Sequence, residues 1–321
     1  MPTTTSYLSH FAKDVLEGLS AKEKFIPSKY FYDKKGDRLF QQIMHLPEYY
    51  LTKKEFEILD KFKDRILAPI IQQEKEFNLV ELGAGDGLKT KILIDFLIQE
   101  KIKFKYFPID ISGNALEELS KALKKEFPGL GVQPIENSYG EALKMKNWNN
   151  GSPSLLLFLG ANMGNFNPEG VDNMVQLISG ALQAGDQVLM GIDLKKDPEL
   201  ILKAYHDKQG VTKTFNLNVL ERINMELGGD FKLDQFKHWP VYNPMTGECK
   251  SYLVAMKNQT VHIEGIKKTI YFKKAESIHT EISKKFDLEE VMALAQGHGF
   301  EIVKNFLDDQ EFFADSLWRK Q

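Results

Sequence analysis

Tyr7, Leu8, Phe11, Ala12, Val15, Leu16 and Leu19 recur at helical spacing and predict an amphipathic first helix. Residues 25–50 break that rhythm. They are aromatic and irregular, with Tyr30-Phe31-Tyr32-Asp33 at one end and Pro47-Glu48-Tyr49-Tyr50 at the other. Thr52-Lys53-Lys54-Glu55 has the form of a capping box, in which hydroxyl and carboxylate each satisfy a free backbone N–H. The helix it opens is expected to bury Phe56, Leu59, Phe62 and Ile66, with Pro69 marking its end or a kink.

From Phe77 the pattern changes to alternating strands and helices. Apolar strands are predicted at 77–82, 104–109, 155–159 and 187–194. Between them lie helical faces such as Leu88, Ile92, Leu93, Phe96 and Leu97, or Val171, Met174, Val175, Ile178 and Leu182. The run Leu155–Leu159 is continuously apolar, as in a strand buried on both faces of a parallel sheet. The alternation predicts an α/β fold with a doubly wound, mainly parallel sheet. It fails after Asp197-Pro198, a good N-cap and N1 pair. Helices then run to Gly228-Gly229, and residues 241–272 read as strands with turns. Asp287 caps a further helix, and 300–307 and 312–318 read as two closing strands. A second, discontinuous α+β region is therefore expected. It combines an N-terminal segment, 1–60, with an insertion, 195–286, and the α/β core takes 61–194 and 287–321.

The length of 321 residues suits a core domain plus a sizeable second region. A net charge of -3 argues against a general nucleic-acid binder, which needs a basic surface. The single cysteine, Cys249, excludes a disulfide framework, and the seven histidines lack metal-ligand spacing, so no metal site is expected. No run reaches the roughly 18 apolar residues of a membrane span, and the N-terminus lacks a signal-peptide pattern. A cytoplasmic monomer acting on a small molecule, with no membrane or nucleic-acid partner, is the expectation.

Glu81-Leu82-Gly83-Ala84-Gly85-Asp86-Gly87 sits between a predicted strand and helix. Glycine permits a tight turn and close ligand approach, and the helix start offers free N–H groups. The spacing is G-x-G-x-G rather than the dinucleotide G-x-G-x-x-G, and the acidic Glu81 suits a pyrophosphate poorly. Asp110, at the end of the next strand, can accept hydrogen bonds from both ribose hydroxyls. The combination resembles the S-adenosylmethionine (SAM) site of class I methyltransferases. The alternatives are a tight turn that binds nothing, an NAD(P)-dependent oxidoreductase, and a non-catalytic nucleoside-binding protein. Lys89 reads equally as a ligand of the cofactor carboxylate or as a solvated helix lysine. After the strand 155–159 come Gly160-Ala161-Asn162-Met163-Gly164-Asn165-Phe166, without the Asn/Asp-Pro-Pro-aromatic box of adenine- and glutamine-directed enzymes. Asn165 carries both a donor and an acceptor, which suits an amino acid's amine or carboxylate.

These segments occur in order with Ala204-Tyr205, Phe215-Asn-Leu-Asn218 and Thr280-Glu281-Ile-Ser283-Lys-Lys-Phe286. Together they resemble the histidine-specific, SAM-dependent methyltransferases of ergothioneine biosynthesis, over nearly the whole chain. The resemblance implies a Rossmann-like methyltransferase domain and a split substrate-binding domain. It implies trimethylation of the L-histidine α-amino group to hercynine, with another amino acid or aromatic amine as the alternative substrate. Tyr32, Tyr49, Asn165 and Tyr205 would surround the substrate's amine and carboxylate, with Tyr32, Tyr49 and Asn165 serving catalysis. Glu281 and Ser283 would hold the imidazole. Glu81, Gly83, Gly85, Lys89, Asp110 and Ser138 would form the cofactor site. The chain departs from the family at Ser138, where an acidic residue is usual, and at Ser251, where relatives commonly carry methionine.

Overall fold

The computed structural model describes residues 4–72 and 76–321, and side chains from His10 onward. The strands, in chain order, are β1 Lys24–Phe25, β2 Glu76–Leu82, β3 Lys103–Asp110, β4 Gly131–Val132, β5 Ile135–Glu136, β6 Ser154–Phe158, β7 Gln187–Asp193, β8 Phe236–Asn243, β9 Glu248–Ala255, β10 Gln259–Ile263, β11 Lys268–Phe272, β12 Ser277–Lys284, β13 Phe300–Leu307 and β14 Phe313–Lys320. The α-helices are α1 Thr4–Ser20, α2 Lys34–Met44, α3 Tyr50–Ile71, α4 Thr90–Gln99, α5 Gly113–Glu126, α6 Tyr139–Met145, α7 Pro168–Ala181, α8 Pro198–Tyr205, α9 Val211–Leu227 and α10 Leu288–Gly297. Among the described residues no helix is long and apolar enough to cross a membrane.

Contacts divide the chain into two compact units, Met1–Tyr50 with Lys196–Ser283, and Leu51–Lys195 with Lys284–Gln321. The second unit is built on an eight-stranded sheet ordered β13-β14-β7-β6-β2-β3-β4, with β5 also pairing β3. The pairs β7–β6, β6–β2, β2–β3, β3–β4 and β3–β5 are parallel, and β14 alone runs opposite to the rest, pairing antiparallel with both β7 and β13. The doubly wound, mainly parallel sheet expected from the alternation is thus present. Every residue of β6 is buried, in keeping with its continuous apolar run. The sheet winds outward from β2 in both directions. Its switch point therefore lies between the C-terminal ends of β2 and β6, where open α/β sheets bind ligands.

The first unit pairs β1-β12-β9-β8 in one sheet and β10-β11 in a hairpin. Its core gathers Phe11, Val15 and Leu19 of α1 with Phe215, Val219, Leu220 and Ile223 of α9 and Leu253, Ile270, Phe272 and Ile278 of the strands. Leu16, expected on the buried stripe of α1, is 37% exposed. The side chains of Tyr7 and Leu8 lie outside the described residues. Gly228, in the left-handed region, ends α9 as expected.

Three local expectations are corrected. Helix α3 begins at Tyr50, so Thr52 lies inside it and the capping box does not form. Its buried positions are Leu51, Lys54, Glu55, Ile58, Leu59, Ile66, Leu67 and Ile70, so Phe56 and Phe62 flank the stripe. Packing of this face places α3 in the second unit, and the division falls at Tyr50 rather than at residue 60. Pro69 sits inside the last turn of the helix.

The long insertion leaves and rejoins the α/β unit at one place. Phe286 N–H donates to the Asp193 carbonyl at 3.0 Å, and Lys195 N–H to the Phe286 carbonyl at 2.8 Å. Beside this junction the Lys285 ammonium lies 2.7 Å from the Asp193 carboxylate, both side chains fully buried. Removing one partner of such a pair leaves a charge where water cannot reach it. Asp193→Asn is expected to cost about 3–5 kcal/mol, whereas Asp193→Leu combined with Lys285→Met costs much less. Urea unfolding of the single and double variants checks this, and a double variant no better than the single one contradicts it.

Candidate active site

The turn after β2 is set by backbone conformation first. Gly83, Gly85 and Gly87 have φ of 75°, 52° and 65°, in the left-handed region that a Cβ disfavours. Gly83 and Ala84 N–H groups donate to the Ile109 carbonyl at 2.8 and 3.2 Å, which ties the turn to the end of β3. The three glycines then differ. A Cβ on Gly83 would collide with the Tyr139 hydroxyl, and one on Gly87 would lie 2.5 Å from Leu119 Cδ1. A Cβ on Gly85 would meet nothing within 4 Å. Gly83 and Gly87 are therefore held by packing, while Gly85 borders open space.

Asp110 closes this space from β3. Its carboxylate accepts from Gly85 N–H at 3.1 Å and from Ser112 N–H at 2.9 Å. One N–H on each oxygen leaves further lone pairs, enough for two ribose hydroxyls. Asn137 N–H donates to the Asp110 carbonyl at 3.0 Å, which brings the next residue, Ser138, beside the end of β3. Ser138 is exposed and N-caps α6 through Glu141 N–H at 3.4 Å.

Glu81 occupies a different place from the one expected of a cofactor ligand. It is 4% exposed and turned into the interior, where Thr90 Oγ1 donates to Oε1 at 2.5 Å and the Tyr106 hydroxyl donates to Oε2. It braces β2 against β3 and the start of α4 from beneath the turn. Burial pushes its carboxyl up to about 7, outweighing the lowering effect of Thr90 and Tyr106. Burial, and then Asp110, raise the Tyr139 hydroxyl as well, so this tyrosine stays protonated beside Gly83.

The turn after β6 faces the same switch point. Gly160 and Ala161 have φ of 77° and 56°, so two successive residues are left-handed and one of them carries a Cβ. The short helical turn Asn162–Asn165 follows. Asn162 Nδ2 lies 3.2 Å from the place of a Gly83 Cβ and 3.6 Å from that of a Gly160 Cβ, so this amide bridges the two turns. Asn165 stands exposed at the end of the helical turn. Lys89 N-caps α4 and pairs through Nζ with Glu55 Oε2 at 2.5 Å. Glu55 is a site residue that sequence reasoning missed, because its place in a capping-box pattern explained it away. The usable signal was an acidic side chain one helical turn from both Leu51 and Leu59, on the apolar stripe.

In the first unit, α9 organises the tyrosines. Tyr32 packs edge-on against Phe40 and Phe215, each 5.7 Å away, and Tyr49 against Phe40 at 6.4 Å. Asn218 Nδ2 donates to Asp33 Oδ1 at 2.9 Å, and Arg222 to the Tyr30 carbonyl at 2.9 Å, so the segment carrying Tyr32 is fixed at both ends. Asn216 Oδ1 accepts from Thr280 Oγ1 at 2.8 Å, next to Glu281 on β12. Glu281 Oε2 accepts from Ser251 Oγ at 3.1 Å. The buried Tyr205 hydroxyl donates to Ser283 Oγ at 2.7 Å. Tyr205, Ser251, Glu281 and Ser283 thus form two linked side-chain pairs around one strand.

A doubly wound sheet carrying a G-x-G-x-G turn on β2 and a carboxylate closing β3 defines the Rossmann-like class of SAM-dependent methyltransferases. The backbone is similar to that of the mitomycin 7-O-methyltransferase MmcR, at a TM-score of 0.50 with 11% identity, covering 99% of this chain and 69% of that one. A family model described as histidine-specific methyltransferase, SAM-dependent, matches residues 11–320. The chain is 36% identical over 282 residues to the histidine N-alpha-methyltransferase of Mycolicibacterium smegmatis, covering 88% of this chain and 86% of that one. To the histidine N-alpha-methyltransferase of Mycobacterium tuberculosis it is 33% identical over 308 residues, 96% and 94% of the two chains. The chain belongs to the histidine-specific, SAM-dependent methyltransferase family. It is an enzyme that takes its methyl group from SAM. The open space at Gly85 and the donor and acceptor set of Asp110 and Lys89 suit that cofactor.

Glu81 makes a pH prediction. Between about pH 4.5 and about pH 7 the folded protein holds a proton on Glu81 that the unfolded chain has released. Stability therefore falls as pH rises through that window, by roughly 3 kcal/mol from this group. Glu81→Gln, which keeps both hydrogen-bond partners, is expected to flatten the slope. Urea midpoints of the two proteins across the window decide it, and parallel slopes contradict the assignment.

Proposed function

We propose that the enzyme trimethylates the α-amino group of L-histidine to give hercynine. The observation that supports this most is the pairing on β12, where Ser251 steadies Glu281 and Tyr205 steadies Ser283. A carboxylate and a hydroxyl two positions apart suit the two nitrogens of an imidazole, one donating and one accepting. Tyr32, Tyr49, Asn165 and Tyr205 take the amine and carboxylate of the same molecule. Gly83, Gly85, Lys89, Asp110 and Ser138 take the cofactor, and Glu81 supports them from below. The relatives named histidine N-alpha-methyltransferase favour the same substrate.

SAM held by the glycine turn, Lys89 and Asp110 would supply an electrophilic methyl carbon: the amine lone pair forms the N–C bond in line as the C–S bond breaks, and neutral S-adenosylhomocysteine leaves. Little covalent chemistry remains for the protein, so positioning the amine contributes most of the catalysis. Tyrosine hydroxyls orient a carboxylate without adding a positive charge that would repel the sulfonium. The amine must shed a proton before each attack, and a tyrosine or water relays it.

Incubation with SAM and each of the twenty amino acids, read by mass spectrometry, tests the proposal. Histidine is expected to gain one, two and then three methyl groups. Untouched histidine beside another methylated amino acid overturns it. Glu281→Ala should raise the histidine KM about tenfold or more, the range for a lost hydrogen bond to a charged group, with SAM affinity unchanged. Equal losses for both ligands contradict the imidazole role.

A further inference from the structure

Glu55 belongs to none of the segments assigned to the site from sequence, yet its carboxylate is completely buried and specifically accommodated. Oε1 accepts from Gly160 N–H at 2.7 Å, and Oε2 pairs with Lys89 at 2.5 Å. Gly191 of β7 makes room for it, because a Cβ there would collide with Glu55 Oε1 and lie 3.0 Å from Gly160 N. One carboxylate thus ties the start of α4, just past the glycine turn, to the turn after β6. A Cβ on Gly160 would lie 3.2 Å from Lys89 Nζ, so the ammonium is held against that turn.

The charge count around this carboxylate is nearly closed. Opposite Gly191 in the β14–β7 ladder stands Asp315, fully buried with no hydrogen-bond partner on either oxygen. Burial pushes Asp315 well above the ordinary carboxylate range, and Glu55 adds to the effect. Glu55, by contrast, has the Gly160 N–H and the Lys89 ammonium as partners, so by geometry Glu55 is the counter-charge of Lys89. A lysine in a site for a cationic cofactor presents a conflict. Its ammonium can bind the cofactor's carboxylate, but its charge opposes the sulfonium.

We propose that Glu55 is a positioning and charge-balancing residue of the methyl-donor site. It fixes the Lys89 ammonium for hydrogen bonding to the cofactor while cancelling the net charge that would disfavour a sulfonium. This rests on the SAM site assigned above to the β2 and β6 turns. Its signature is a ratio, because SAM carries the sulfonium charge and S-adenosylhomocysteine does not. A purely structural role would shift both affinities together.

Calorimetric titration of the full chain with each ligand provides the test. Binding of both ligands to the unaltered protein establishes the site independently of Glu55. Glu55→Gln is expected to weaken SAM about tenfold more than S-adenosylhomocysteine. Lys89→Met, which leaves Glu55 unbalanced, should shift the ratio in the opposite direction, and the double variant should restore it. Should Glu55→Gln not fold, Lys89→Met against the double variant still reads the same charge effect. Equal losses for the two ligands, or a ratio that Lys89→Met does not move, overturn the proposal.

Discussion

A polar group taken out of water must find its partner inside the protein, and this constraint shapes both units. An unmatched buried charge or amide costs more than most single contacts return. Glu81, Glu55, Asn216 and Asn218 are all at most 4% exposed. Each spans elements that the apolar core alone would leave free to slide. Glu81 joins the Thr90 hydroxyl of α4 to the Tyr106 hydroxyl of β3. Asn216 and Asn218 reach from one helix to β12 and to the Asp33 cap of α2. Hydrophobic burial brings the layers together, and these bonds choose the register in which they meet.

The glycines show the same constraint from the side of space. At Gly83 the excluded volume belongs to Tyr139 and at Gly191 to Glu55, both parts of the protein itself. At Gly85 nothing within 4 Å competes for the volume. One turn therefore contains glycines required for folding and a glycine whose only steric demand from the protein is its own φ. The repeated letter in the motif conceals two different reasons for it.

Much of the α/β unit was legible because its signals are local. The apolar run at 155–159, the glycine turn and the Asp287 cap each declare an element within a few residues, and each element is present. What escaped was long-range. Thr52 to Glu55 satisfies the spacing of a capping box, but the helix already begins at Tyr50, and Glu55 instead serves Gly160 and Lys89. Glu81 was identified as important for the right position and the wrong contact, since no local pattern reveals that Tyr106 waits on the neighbouring strand. The two-residue strands β4 and β5 left no periodicity to read. In the first unit the tyrosines were legible only through the ordered set of motifs, because aromatic residues in an irregular segment look alike whether they pack or bind.

Helix α9 explains how that irregular segment acquires a defined shape. It is polar where an ordinary amphipathic helix would be apolar, with Asn216 and Asn218 both fully buried. Residues two apart on a helix point about 200° away from each other, so the two amides serve opposite sides. One side receives Thr280, adjacent to Glu281, and the other receives Asp33, adjacent to Tyr32. Phe215, on the same helix, supplies the ring against which Tyr32 rests. The separation between β12 and the tyrosine segment is thereby set by the width of a single helix. A substitution on α9 that touches neither side directly can still alter the spacing between them. In the site proposed above, discrimination by amino-acid length would then reside partly in a helix that carries none of the proposed contact residues.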